Sequence, residues 1–157
     1  MPSTAILWLL RICLCVWLAW PAPGAAAERL PGPYEATVKR VVDGDTIGVE
    51  VAVWLGVEVD VLVRIRGIDA PEMRGGCESE KARARQAAAA LRRMLPKSIV
   101  VLSHIEGGKY YGRVVADAAT PEGEDVAEAL VAAGHARRYD GGARQSWCEG
   151  EREEPTG

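Results

Sequence analysis

A β-rich α+β fold, a small antiparallel barrel of five strands with two helices, is predicted by three features of the sequence. Apolar and polar residues alternate from Thr46 to Trp54 and again from Val57 to Ile68. An alanine-rich stretch, Ser79 to Leu95, has helical spacing. Two further short apolar runs then precede a second helical pattern after Asp125. Period-two alternation turns one face of a strand inward, whereas a period of 3.6 builds a single apolar stripe.

The elements follow in order. Tyr34 to Val42 is predicted as the first strand. Thr46 to Trp54 is the second, with Ile47, Val49, Val51 and Val53 on one face, and Leu55-Gly56 turns the chain into the third. There Val57, Val59, Val61, Val63 and Ile65 share a face, while Glu58, Asp60, Leu62, Arg64 and Arg66 occupy the other. A solvated face is the plain reading of those charges.

The first helix places Ala84, Ala88, Leu91 and Leu95 on one side and stops before Pro96. Ile99–Leu102 and Gly112–Asp117 are the last two strands. The second helix opens with Asp125 and Glu128 at capping-box spacing, is lined by Val126, Leu130 and Ala133, and ends at Gly134. Three strands, a helix, two strands and a helix suit a five-stranded barrel of the OB type. An open antiparallel sheet with helices on one face is the alternative.

The chain has 157 residues and a formal charge of −3. Residues 1–27 are dominated by apolar residues, carry Arg11 as their only charged side chain and end in Ala25-Ala26-Ala27, the pattern of a cleaved secretory signal. An uncleaved membrane anchor is the other reading. Cleavage leaves one domain, 28–148, followed by a polar tail, 149–157, with residues 28–33 as a linker. Loss of Arg11 shifts the charge from −3 to −4, so no overall field draws in a polyanion. Export implies an oxidising compartment, periplasmic or extracellular, and Cys77 and Cys148 are then expected to pair. Such a bond would stabilise by roughly 4 kcal/mol in the chain-entropy model. Two free buried thiols are the alternative.

Val41-Val42-Asp43-Gly44-Asp45-Thr46 reads either as a hairpin turn or as a metal-binding turn. Further on, Ile68-Asp69-Ala70-Pro71-Glu72 sets two carboxylates three residues apart on a segment stiffened by proline. Arg64 precedes Asp69 by five residues. Lys109-Tyr110-Tyr111-Gly112-Arg113 adds a basic and aromatic cluster.

These four motifs, in this order on these elements, resemble the staphylococcal nuclease family over about residues 36–139. The resemblance implies a nuclease that uses calcium to hydrolyse DNA and RNA, leaving 3′-phosphate ends, and phosphate-centred contacts predict little sequence specificity. It makes Asp45 and Asp69 calcium ligands together with the backbone carbonyl of Ala70. Glu72 falls where the family holds or activates water, and Arg64 and Arg113 fall where it grips the scissile phosphate. Tyr111 matches a phosphate-contacting position or packs on the barrel, and Tyr139 is a candidate to flank the nucleotide. The hairpin question then resolves as both: Asp43-Gly44 turns the chain and Asp45 reaches the metal.

The chemistry suits these roles. Calcium takes carboxylates, carbonyls and water. A cation and two guanidiniums stabilise the charge that builds at phosphorus. A neighbouring carboxylate can accept the proton of water.

The chain also departs from the family. Its second and third strands are longer, Lys109 stands where an acid is common, and the family's final helix has no room after Asp140-Gly141-Gly142, so that helix is truncated or absent. A Cys77–Cys148 bond is expected to take its place by pinning the tail near Glu72. His104, His135 and the Arg83, Arg85, Arg92 and Arg93 group read as surface or structural residues. A monomer is expected. The rival readings are a non-catalytic nucleic-acid-binding barrel and a membrane-tethered structural protein.

Overall fold

Five strands close into a barrel in the computed structural model, which describes residues 29–148. The expected signal segment and the polar tail lie outside the described residues. The barrel strands are β2 (Tyr34–Asp43), β3 (Thr46–Trp54), β4 (Val57–Ile65), β6 (Ile99–Gly107) and β7 (Arg113–Ala119). Short β1 (Arg29–Leu30) extends the sheet along β6, so the expected linker begins as a strand. Helices α1 (Glu78–Met94) and α2 (Val126–Ala132) match the two expected helices within a few residues at each end.

Ring neighbours run β2-β3-β4-β7-β6 and back to β2. Four pairings are antiparallel and β4–β7 is parallel. The expected all-antiparallel barrel is thus corrected to a mixed one. The reason is topological: strands cannot alternate in direction all the way round an odd-numbered ring, so one pair must run the same way.

The third predicted strand, Val57–Ile68, breaks in two. Gly67 turns with φ 79°, a conformation glycine adopts without steric cost, and the chain resumes as β5 (Ile68–Asp69). β5 pairs not with the barrel but with β8 (Arg137–Arg138), Asp69 opposite Arg137. The last two strands are longer than predicted, because β6 and β7 continue pairing out to Gly107 and Val114.

The core is built from alternating positions. Ile47, Val49, Val63, Ile65, Val100, Leu102 and Ala116 are buried inside the barrel strands, and Leu91, Val126 and Leu130 close it from the helices. On α1 the small side chains Ala84, Ala87, Ala88 and Ala90 are buried, so the helix lies close to the sheet. Asp125 caps α2 by accepting from Glu128 N at 3.0 Å. The expected capping box is only half formed, since the Glu128 carboxylate turns to Arg138 instead (2.6 Å).

Candidate active site

Asp45 immediately precedes β3, directly beside Arg64 on β4. Thr46 and Arg64 are cross-strand partners, and Ile65 N donates to Asp45 O at 2.8 Å. Asp45 is 4% exposed, and its carboxylate takes three hydrogen bonds. It accepts from Arg64 Nη1 at 2.7 Å, Thr46 Oγ1 at 2.8 Å and Ala70 N at 3.2 Å. A buried carboxylate persists only with such partners. The bond to Ala70 N fastens the Asp-Ala-Pro-Glu segment to the turn between β2 and β3.

Gly44 makes that approach possible. A Cβ there would lie 2.6 Å from Ala87 Cβ and 2.9 Å from Ala70 Cβ. Its φ is not positive, so the glycine serves close packing on α1. Asp43, read from sequence only as a turn residue, has a second part. Its Oδ1 accepts from Met73 N at 2.9 Å and fastens the loop beyond Glu72. Burial raises the Asp43 pKa most, and Asp45 and Glu72 raise it further, against the Met73 amide and the Arg113 guanidinium.

Asp69, 5% exposed, comes up against the same arginine. Its Oδ1 is 3.8 Å from Arg64 Nη2, and its Oδ2 accepts from Trp147 Nε1 at 3.0 Å. Arg64 is thus shared between the two acids, with Nη2 also donating to Ile68 O at 3.1 Å. Arg64 and Tyr139 also line an 830 Å³ cleft along Gly67 and Val115.

The loop after Glu72 is organised from α1. Cys77 caps the helix, and the Glu80 carboxylate accepts from Gly76 N at 3.0 Å and Glu72 N at 3.3 Å. Cys77 is joined to Cys148, with Cα atoms 5.9 Å apart. This is the pairing expected from export, and it brings the segment ending at Cys148 to the loop beyond Glu72. Arg144 consequently stands at the site. Its Nε is 3.1 Å from Asp69 Oδ1 and its Nη1 bonds Glu72 Oε1. A smaller pocket of 240 Å³ is lined by Asp69, Ala70, Glu72, Glu80, Arg144 and Trp147.

The structure therefore brings Asp45, Arg64, Asp69, Ala70 and Glu72 together. Arg113 stands at the start of β7, beside Leu62 and within electrostatic reach of Asp43. Tyr111 is wholly exposed, so the alternative of a tyrosine packed on the barrel is corrected. Its loop projects into solvent, where nothing covers the ring. Tyr139 borders the large cleft, and its hydroxyl donates to Gly142 O at 2.7 Å. His104 is exposed and pairs with Asp117 at 2.8 Å, away from the acids.

Sequence reasoning missed Arg144, Trp147 and Glu80. The one available signal was the Cys77–Cys148 pair, which places the four preceding residues near Glu72.

The acids also suit a hard cation. Among the described residues buried Asp69 Oδ1 accepts no hydrogen bond, and Arg144 Nε lies 3.1 Å from it as an ion-pair partner. A buried carboxylate oxygen with a spare lone pair costs free energy unless a positive partner takes it. The family model for the staphylococcal nuclease homologue matches residues 62–154, more than half of the chain. The match takes in Arg64, Asp69, Ala70, Glu72, Tyr111, Arg113 and Tyr139 and begins after Asp45. No curated protein matches the chain.

Proposed function

Because the chain belongs to the staphylococcal nuclease homologue family, we propose that it is an exported calcium-dependent nuclease that hydrolyses phosphodiester bonds of DNA and RNA. The observation that carries this reading is the convergence of Asp45 and Asp69 on Arg64, with Asp69 Oδ1 buried and accepting no hydrogen bond among the described residues. Asp45, Asp69 and the Ala70 carbonyl would hold the ion. When bound, calcium neutralises charge on a phosphate oxygen and favours attack at phosphorus.

The chain's own residues supply the rest. Glu72, half exposed beside the acids, takes a proton from water as its oxygen attacks phosphorus. The P–O5′ bond breaks, leaving a 3′-phosphate and a 5′-hydroxyl that takes its proton from solvent. The Arg64 guanidinium has donors beyond those bound to Asp45 and Ile68 O, and its fork suits phosphate. Arg113 is a second cation to stabilise the developing charge.

Exposed Tyr110 and Tyr111 suit stacking of unpaired bases, which favours single strands and little sequence preference. The Cys77–Cys148 bond supports a periplasmic or extracellular location. The protein acts as a monomer without stable membrane association once residues 1–27 are removed.

Digestion of plasmid and single-stranded DNA tests this reading, with calcium, with chelator, and with Glu72→Gln. Calcium-dependent cleavage is expected, with kcat reduced about 10²- to 10⁴-fold by the substitution. Cleavage that survives chelation would overturn it. Oligonucleotide binding without any cleavage would establish the non-catalytic barrel instead.

A further inference from the structure

The segment after Tyr139 has no regular secondary structure, yet it is fastened at both ends and in between. Upstream, β8 is paired to β5, and Tyr139 N donates to Gly67 O at 2.8 Å. Downstream, Cys148 is bonded to Cys77 at the head of α1. Between them Trp147 is 7% exposed, donates to Asp69 and carries the Arg137 guanidinium 3.8 Å above its ring. Arg137 also donates to Ser146 O at 3.2 Å.

This clamp sets Arg144 across two carboxylates. Its guanidinium meets Asp69 and Glu72 at once, and burial, which lowers its pKa, is outweighed by Glu72, Asp69 and Asp45, which raise it. Among the described residues no other group bonds the Glu72 carboxylate. Glu72 lies on a loop and is otherwise free to turn into solvent. A planar fork can bridge two acids where a single ammonium cannot.

We propose that Asp140–Cys148 is a wall of the active site, that Arg144 is a positioning residue holding the Glu72 carboxylate towards the acids, and that the Cys77–Cys148 bond makes hydrolysis depend on oxidation. The inference rests on the nuclease reading above and adds to it a positioning residue and a redox dependence. Reduction by a dithiol proceeds by thiolate attack on one sulfur. The second thiol of the reductant then displaces the mixed disulfide, so that the reductant is oxidised to its own disulfide and the protein gains two thiols. The clamp then opens at one end, and Arg144 no longer holds Glu72.

The test uses the full chain, oxidised or treated with dithiothreitol, as wild type, Arg144→Ala, Arg144→Lys and Cys148→Ser. Steady-state cleavage of single-stranded DNA in calcium is one measurement. Amide hydrogen exchange across Asp140–Cys148, with β3 and β4 as internal reference, is the other. Arg144→Ala is expected to lower kcat about 10- to 100-fold with KM nearly unchanged, the size of effect that a misplaced catalytic group produces. Arg144→Lys should recover part of that loss. Reduction, or Cys148→Ser, should slow wild type by a similar factor and speed exchange in the segment while β3 and β4 stay protected. Reduction should change Arg144→Ala little, because the bond acts through that residue.

Undiminished kcat in Arg144→Ala, or equal slowing of both proteins by reduction, would overturn the proposal and leave the nuclease reading standing. A wild-type chain that cleaves nothing under any condition would remove both.

Discussion

The two ends of the β3–β4 hairpin carry the same alternating pattern and meet opposite fates. At the base, Thr46–Val49 lies between β2 and β4, and Val63–Ile65 lies between β3 and β7. Ile47, Val49, Val63 and Ile65 are accordingly buried, and Asp45 and Arg64 can be drawn out of water among many donors. At the tip, pairing with β2 ends at Glu50 and pairing with β7 begins only at Leu62. Beyond those points the two strands have only each other, and Trp54 and Leu55 are 76% and 90% exposed. Alternation thus says which side chains share a face. It does not say whether a neighbour arrives to cover that face.

The sharpest way to break this comparison is to remove a charge from the base. Arg64→Ala leaves Asp45 buried without its main partner, and breaking such a pair costs about 3–5 kcal/mol. Thermal unfolding in chelator should show the loss, and nuclease activity should fall about 10²- to 10³-fold. Unchanged stability would mean that Asp45 is better hydrated than its burial implies.

A smaller effect is expected where α1 presses on the turn. Gly44→Ala puts a methyl within contact of Ala87 and Ala70, an overpacking that costs about 1–3 kcal/mol. Gly44→Ala combined with Ala87→Gly should recover much of that loss in denaturant melts.

Acid tests the outer network at the end of β6, where Glu106 bonds Arg66 and Arg29. Its hydrogen bond from Arg66 holds its pKa below the ordinary glutamate range, followed by that from Arg29. A group lowered in this way stabilises the fold above its unfolded pKa and loses that contribution as pH falls through the folded value. Glu106→Gln should therefore flatten the acid limb of the stability curve and leave neutral-pH activity intact.

The smallest effect belongs to the tip. Trp54→Ser with Leu55→Ser should change stability by less than about 0.5 kcal/mol and leave cleavage unchanged, because neither side chain is covered. A large loss in either assay would show that the tip is covered after all.

Much of this organisation was legible in the residues. Period-two runs marked β3 and β4, Asp125 and Gly134 marked the limits of α2, and the Asp-Gly-Asp and Asp-Ala-Pro-Glu motifs marked the acids. The acid motifs are readable because each packs several candidate site residues into a short run. Other features left no such trace. The β5–β8 pairing is two residues long, too short for periodicity to register. Arg144 and Glu72 are 72 positions apart, and nothing local marks either as the other's partner. Arg64 and Arg66 share a predicted face, yet Arg64 joins the acids while Arg66 ties Glu106 and Asp117. The break at Gly67 and the neighbours beyond it separate their roles.

The sequence by itself determined the places of the five barrel strands and both helices, the two acid motifs and the cysteines available to pair, since these follow from short-range periodicity, backbone preference and residue chemistry. Only the tertiary structure decided that one barrel pair runs parallel, that the hairpin tip stays bare, and that the tail carries a guanidinium onto Asp69 and Glu72. Those outcomes depend on which distant segments close the ring and cover each face, and burial then sets how strongly each charge must be paired.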